Sequence, residues 1–259
     1  FDAPYQDSWA MVSVLRASYE GTLSTILSEL FAQHNEHRVF FPKLIMLIMA
    51  RLTHWEPRYE LPVTFLFACG TTALFIHRFE KQEKANGGFL SILPLVLVSV
   101  LVFSGSQWHV WIWGWMLQIE LNVLCVTASF ALLTSENMSW KRLLFISLLG
   151  LTAVFSFGTG LVFLPLMVIG LYKASINSTG KRYTMLTFAL VVSAAICVLY
   201  FWKYEYPSSQ TNYAPANLLH YLVYLLVYLG SPICIFNVWL SMVFGLLGSI
   251  IWIAMASRG

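Results

Sequence analysis

The 259 residues are 58% hydrophobic and 10% charged, with a mean hydropathy of +0.71. A soluble domain carries roughly a quarter charged residues, so this composition excludes an ordinary soluble fold and indicates a helical bundle in lipid. Fifteen Lys and Arg against twelve Asp and Glu give +3 without a basic tract, which argues against nucleic acid as a partner.

The polar groups crowd the front of the chain. Asp7 stands immediately before a stripe of apolar residues at Trp9, Val12, Leu15, Tyr19, Leu23, Ile26 and Leu30. Steps of three and four define one face of a helix, with Ser13, Arg16, Glu20 and Ser24 opposite. Gly21 is the expected break between two shorter helices, since glycine costs about 1 kcal/mol inside a helix. Such a stripe suits a membrane surface or a bundle flank. Asp7 has two readings, an N-cap for this helix or a carboxylate available as a general base.

The run His34-Asn35-Glu36-His37-Arg38 comes next and abuts Phe40 and Phe41. It reads either as a solvated loop or as a set of parts for moving a proton and holding a phosphate. The spacing of His34, Glu36 and His37 is neither HExxH nor HxxEH, so no metal is assigned. Lys43 to Leu52 is apolar but too short to span about 30 Å of hydrocarbon, and it reads as interfacial or re-entrant. Arg51, His54, Glu56, Arg58 and Glu60 form a second patch before the first span, suited to anchoring a helix end.

The apolar segments then run Leu61 to Ile76, Phe89 to Ser104, Met116 to Leu133, Leu143 to Phe155, Leu161 to Tyr172, Met185 to Trp202 and Ile235 to Ala256. The two around Ser156-Phe157-Gly158-Thr159-Gly160 are expected to form a hairpin of short helices, because one helix through that point would be too long without strong tilt. Cys69, Cys125, Cys197 and Cys234 lie inside apolar stretches and read as buried free thiols. Lys and Arg recur at Arg78, Lys81 and Lys84, at Lys141 and Arg142, and at Lys173, Lys181 and Arg182. If those connections are cytoplasmic, the head through Glu60, the Trp-rich loop Gln107 to Trp115, the Gly158 turn and Lys203 to Asn217 face outward. Glu120 is an ionisable residue near the outer end of a span, beside Gln118 and Asn122. It reads as hydrated at the interface or as part of an outward cavity shared with Gln107 and His109. The expected fold is therefore all-α. It is a polytopic transmembrane helix bundle (61–259) with an extracytoplasmic N-terminal loop of interfacial amphipathic helices (1–60), in one membrane domain. With Phe1 at its start and Arg258 directly after a span, the chain is expected to be a fragment.

The order of features resembles the GT-C class of multi-pass glycosyltransferases, including mannosyltransferase-like and lipopolysaccharide-sugar-transferase-like bacterial members. The stretches that carry the resemblance are Asp7-Ser8-Trp9, His34 to Arg38, Trp113-Gly114-Trp115-Met116-Leu117-Gln118 and Ser156-Phe157-Gly158-Thr159-Gly160-Leu161. The resemblance implies a sugar transferred from a polyprenyl-phosphate-type lipid to a glycan, lipid or protein acceptor, outside the bacterial inner membrane, with metal dependence left open. It implies Asp7 as catalytic base with Glu36 as second acid; Gln6 stands where the class pairs a second carboxylate with the first. His34, His37 and Arg38 would meet the lipid phosphate, and Trp113 and Glu120 the sugar-side cavity. A transporter or flippase, and a non-catalytic scaffold, are the competing expectations.

Overall fold

The computed structural model describes residues 4–86, 92–134, 138–174, 179–206, 217–234 and 237–256, and every regular element among them is a helix. The head comprises α1 (Met11–Glu20), α2 (Leu23–Phe31) and α3 (Phe40–Thr53). Then come α4 (Glu60–Asn86), α5 (Ile92–Val102), α6 (Trp108–Ile112), α7 (Leu117–Leu133), α8 (Trp140–Val154), α9 (Phe163–Lys173), α10 (Thr179–Phe201), α11 (Leu218–Gly230) and α12 (Val238–Ala256). Three stretches, Pro57–Glu80, Gly114–Leu133 and Gly180–Phe201, are long and apolar enough to cross a membrane. Gly158–Lys173, Leu218–Gly230 and Val238–Ile251 are apolar but shorter.

Local chemistry sets many of these boundaries. Gly21 separates α1 from α2, and the Thr22 hydroxyl accepts from the Thr25 N–H to start α2. Ser139, Asn217 and Asn237 do the same for α8, α11 and α12. Pro42 sits in the first turn of α3, where its missing N–H leaves no gap in the helix. Helix α4 does not stop at Ile76. The strong helix formers of 77–86 carry it on to Asn86, so Arg78, Lys81 and Lys84 ride on a helix rather than in a loop. The Arg78 guanidinium donates to the Ala131 carbonyl and the Thr134 hydroxyl at the end of α7, as suits a cation beside unpaired C-terminal carbonyls. The expected start of a span at Phe89 lies outside the described residues.

The chain forms two compact units. In the first, residues 1–102 and 109–205, the head helices pack on one another and α3 reaches α7. One core joins Met11, Val14, Leu30, Val39 and Met46 of the head to Trp115 and Leu117. A second packs Phe31, Phe40 and Phe41 against Val154, Phe155, Ile196 and Tyr200, which seats the head on the ends of α8 and α10. Leu143, Ile146, Phe163, Met167, Leu171 and Met185 fill the core among α7, α8, α9 and α10. The expected break after α8 is present as a 3-10 turn over Gly158–Val162, and a Cβ at Gly160 would lie 2.5 Å from the Ala153 carbonyl carbon. The second unit, 103–108 and 206–259, is dominated by the α11–α12 hairpin. Helix α11 falls in a stretch to which the sequence assigns no span, and its 13 residues are apolar but short of a span's length.

Candidate functional site

The head reverses direction through its polar run. His34 N–H donates to the His37 carbonyl at 2.8 Å, and His37 N–H to the His34 carbonyl at 2.9 Å. That closes a two-residue turn in which Asn35 takes a left-handed backbone (φ 49°), a conformation asparagine tolerates better than most residues.

Two buried cations brace the turn from below. Arg38, 4% exposed, donates from Nε to the Tyr200 carbonyl at 2.6 Å, from Nη1 to the Phe31 carbonyl at 2.8 Å, and from Nη2 to the Trp202 carbonyl. Its guanidinium also lies 4.7 Å from the centre of the Phe31 ring. Lys43 Nζ donates to the carbonyls of Glu29 (3.2 Å) and Ala32 (3.1 Å). Both side chains satisfy carbonyls that helix ends leave unpaired. Where the sequence expects Arg38 to meet a phosphate, its guanidinium clamps α2 to α10. Burial pushes the Lys43 amine down to about 8.

The imidazoles lie above this brace. His34 Nε2 is 3.7 Å from Asp7 Oδ2, and its ring meets the Trp115 ring at 5.0 Å in edge-on geometry. Asp7 lies within a 3-10 turn, Gln6–Ala10, that has no side-chain cap. Its carboxylate faces His34, so the N-cap reading gives way. His37 Nε2 is 3.4 Å from Glu36 Oε1, and its Nδ1 accepts the Gly158 N–H at 3.3 Å. Burial lowers both imidazoles below the ordinary 6.5, against the raising effects of Asp7 on His34 and of Glu36 on His37. Both rings are consequently neutral near pH 7, and a neutral imidazole beside a carboxylate is equipped to accept a proton.

The Trp-rich loop converges here as well. The Trp113 indole N–H donates to the Tyr5 carbonyl and the Ser8 hydroxyl, both at 3.1 Å, which pins the Asp7 turn. Asn122 Nδ2 donates to the carbonyls of Ala153 (2.8 Å) and Phe157 (3.3 Å), fixing the end of α8. Glu120 is buried on α7, and among the described residues no hydrogen bond or ion pair joins it to the head. The structure thus brings Asp7, His34, Glu36, His37 and the Trp113–Trp115 loop together and leaves Glu120 in the helix packing. Among the described residues no group of three or more His, Cys, Asp and Glu could hold a metal ion.

Three contributors were not foreseen in the sequence. The Tyr200 and Tyr204 hydroxyls donate to the Glu36 carbonyl at 3.0 and 3.3 Å. Gln33 accepts from the Glu205 N–H at 3.0 Å and donates to the Glu205 carbonyl at 2.6 Å. Nothing local in the sequence marks Tyr200 or Gln33.

The fold and this site define an all-α protein with helices able to cross a membrane and an acid–imidazole cluster where its head meets its bundle. Comparison adds no relative: no family model, curated protein or solved structure matches the chain.

Proposed function

We propose that this is a multi-pass membrane glycosyltransferase that moves a sugar from a polyprenyl-phosphate-type lipid to an acceptor hydroxyl at the outer face of a bacterial inner membrane. The observation that carries the reading is the Asp7–His34 pair, a carboxylate 3.7 Å from a half-buried imidazole beside the Trp113–Trp115 loop. Asp7 is the more open partner, with 42% of its side chain exposed against 19% for His34, so Asp7 meets the acceptor. Its carboxylate takes the hydroxyl proton as the acceptor oxygen bonds to the anomeric carbon. The bond from that carbon to the lipid phosphate breaks, and the phosphate leaves with the electron pair. His34, a neutral ring with one N–H to give, holds Asp7 in place. Arg38 and Lys43, committed to carbonyls, take no part in that step. Asp7→Asn is the test: transfer from a radiolabelled polyprenyl-phosphate sugar in reconstituted membranes should fall about 10²-fold or more. Unchanged transfer would remove Asp7 from the chemistry.

One observation favours a transporter as the second reading. Among the described residues, Thr71 Oγ1 on α4 and Gln118 Oε1 on α7 are buried without a hydrogen-bond partner, and Glu60 and Glu120 are buried on the same two helices. Polar groups left unpaired between packed helices are the kind a permeating solute uses. Uptake of labelled solute into proteoliposomes without sugar transfer would decide for it.

A further inference from the structure

The 3-10 turn over Gly158–Val162 begins without a side-chain cap of its own, since Phe157 occupies the capping position. The first N–H groups of any helical turn lack internal partners. Here the partner of the Gly158 N–H comes from 121 residues away, as Nδ1 of His37 at 3.3 Å. The fit leaves no slack: a Cβ at Gly158 would lie 2.7 Å from His37 Nδ1 and 2.9 Å from the Tyr200 hydroxyl oxygen. The His37 ring also packs on Phe157 at 4.2 Å.

A backbone N–H only donates, so His37 Nδ1 must present a lone pair to it. The ring is then the neutral tautomer with its proton on Nε2, the nitrogen 3.4 Å from Glu36 Oε1. We propose that His37 is a positioning residue whose Nε2–H tautomer docks the Gly158 turn onto the His34–His37 turn, and that protonation at Nδ1 releases it. Protonation would set two donors against each other at Nδ1 and Gly158. The groups around the ring are Glu36 and His34 from its own turn and the Tyr200 and Tyr204 hydroxyls, both of which donate to the Glu36 carbonyl. The Gly158 turn itself presents Phe157 and Gly158, neither ionisable. Arg38, the next residue, is directed at the Phe31, Tyr200 and Trp202 carbonyls. Among the described residues Glu36 alone favours the charged ring, and burial outweighs it.

The sign of the linkage follows. With His37 lowered in the fold from 6.5, the unfolded chain binds more protons below that value. The contribution is complete above about pH 6.5 and is lost as the pH falls from there through the folded value. His34, also lowered by burial, acts in the same sense, so a variant must separate the two. The inference concerns the joint itself and does not depend on which group the site transfers.

The experiment uses the full chain in detergent micelles, with thermal unfolding followed from pH 7.5 to pH 5 for wild type, His37→Asn and His37→Ala. Asparagine offers a carbonyl oxygen near the Nδ1 position and does not titrate. His37→Asn should match wild type at pH 7.5 and lose less stability on acidification, whereas His37→Ala should lower Tm by about 2–4 °C already at pH 7.5. Coinciding acid profiles for His37→Asn and wild type would overturn the proposal. A ¹⁵N spectrum of ring-labelled wild-type protein needs no variant to fold. At pH 7.5 it should show the His37 proton on Nε2, and a proton on Nδ1 would overturn the proposal equally.

Discussion

The joint between head and bundle in the first unit and the α11–α12 hairpin in the second hold helices together by opposite means. At the joint, side chains reach across to main chain: Arg38 to the Tyr200 and Trp202 carbonyls, Tyr200 and Tyr204 to the Glu36 carbonyl, and His37 to the Gly158 amide. In the hairpin the backbones approach directly. A Cβ at Gly230 would overlap the Ser241 carbonyl oxygen, and one at Gly245 would overlap the Leu226 carbonyl oxygen. Small-residue contacts give close packing in lipid at no cost in buried charge, as helix pairs in membranes commonly do. Directional bonds give something else, a fixed geometry for the groups they carry. The region with the directional bonds is also the one that holds Asp7 and His34.

Arg38→Met is the variant expected to damage the joint most. It leaves three carbonyls without their donor, and unsatisfied buried acceptors make a loss of about 3 kcal/mol or more the expectation. The free thiols report which unit opens, because Cys197 belongs to the first and Cys234 to the second, both half-buried. In mild denaturant, Arg38→Met should speed alkylation of Cys197 ahead of Cys234. Gly245→Ala should do the reverse, at about 1–3 kcal/mol for forcing a methyl into a packed contact. If either variant accelerated both thiols equally, the two regions would not be separate in stability. Asn122→Ala should have the smallest effect, about 1 kcal/mol, through loss of its bonds to Ala153 and Phe157.

Much of the first unit is legible in the sequence because its signals are local. The stripe from Trp9 to Leu30 with Gly21 inside it becomes α1 and α2 with the break at Gly21, and the Gly158–Gly160 stretch becomes the turn between α8 and α9. The short apolar run after Pro42 becomes α3. Convergence of Asp7 on the His34 turn is not local, and neither is the use of Arg38. The carbonyl of Tyr200 that holds Arg38 lies 162 residues away, and no spacing rule connects the two. Composition made Arg38 look like a phosphate ligand, whereas the ends of α2 and α10 decide what it binds. Helix α11 is apolar but, at 13 residues, shorter than a span needs.

In the proposed transfer Asp7 and His34 act as one unit, and a double-mutant cycle on sugar transfer reads that coupling. Asp7→Asn, His34→Asn and the double variant are assayed with the same lipid-linked donor in reconstituted membranes. Groups that work together are strongly non-additive, so the double variant should be no slower than the worse single variant. Losses that multiply in the double variant would show that Asp7 and His34 act independently, and full transfer in all three would remove both from the chemistry.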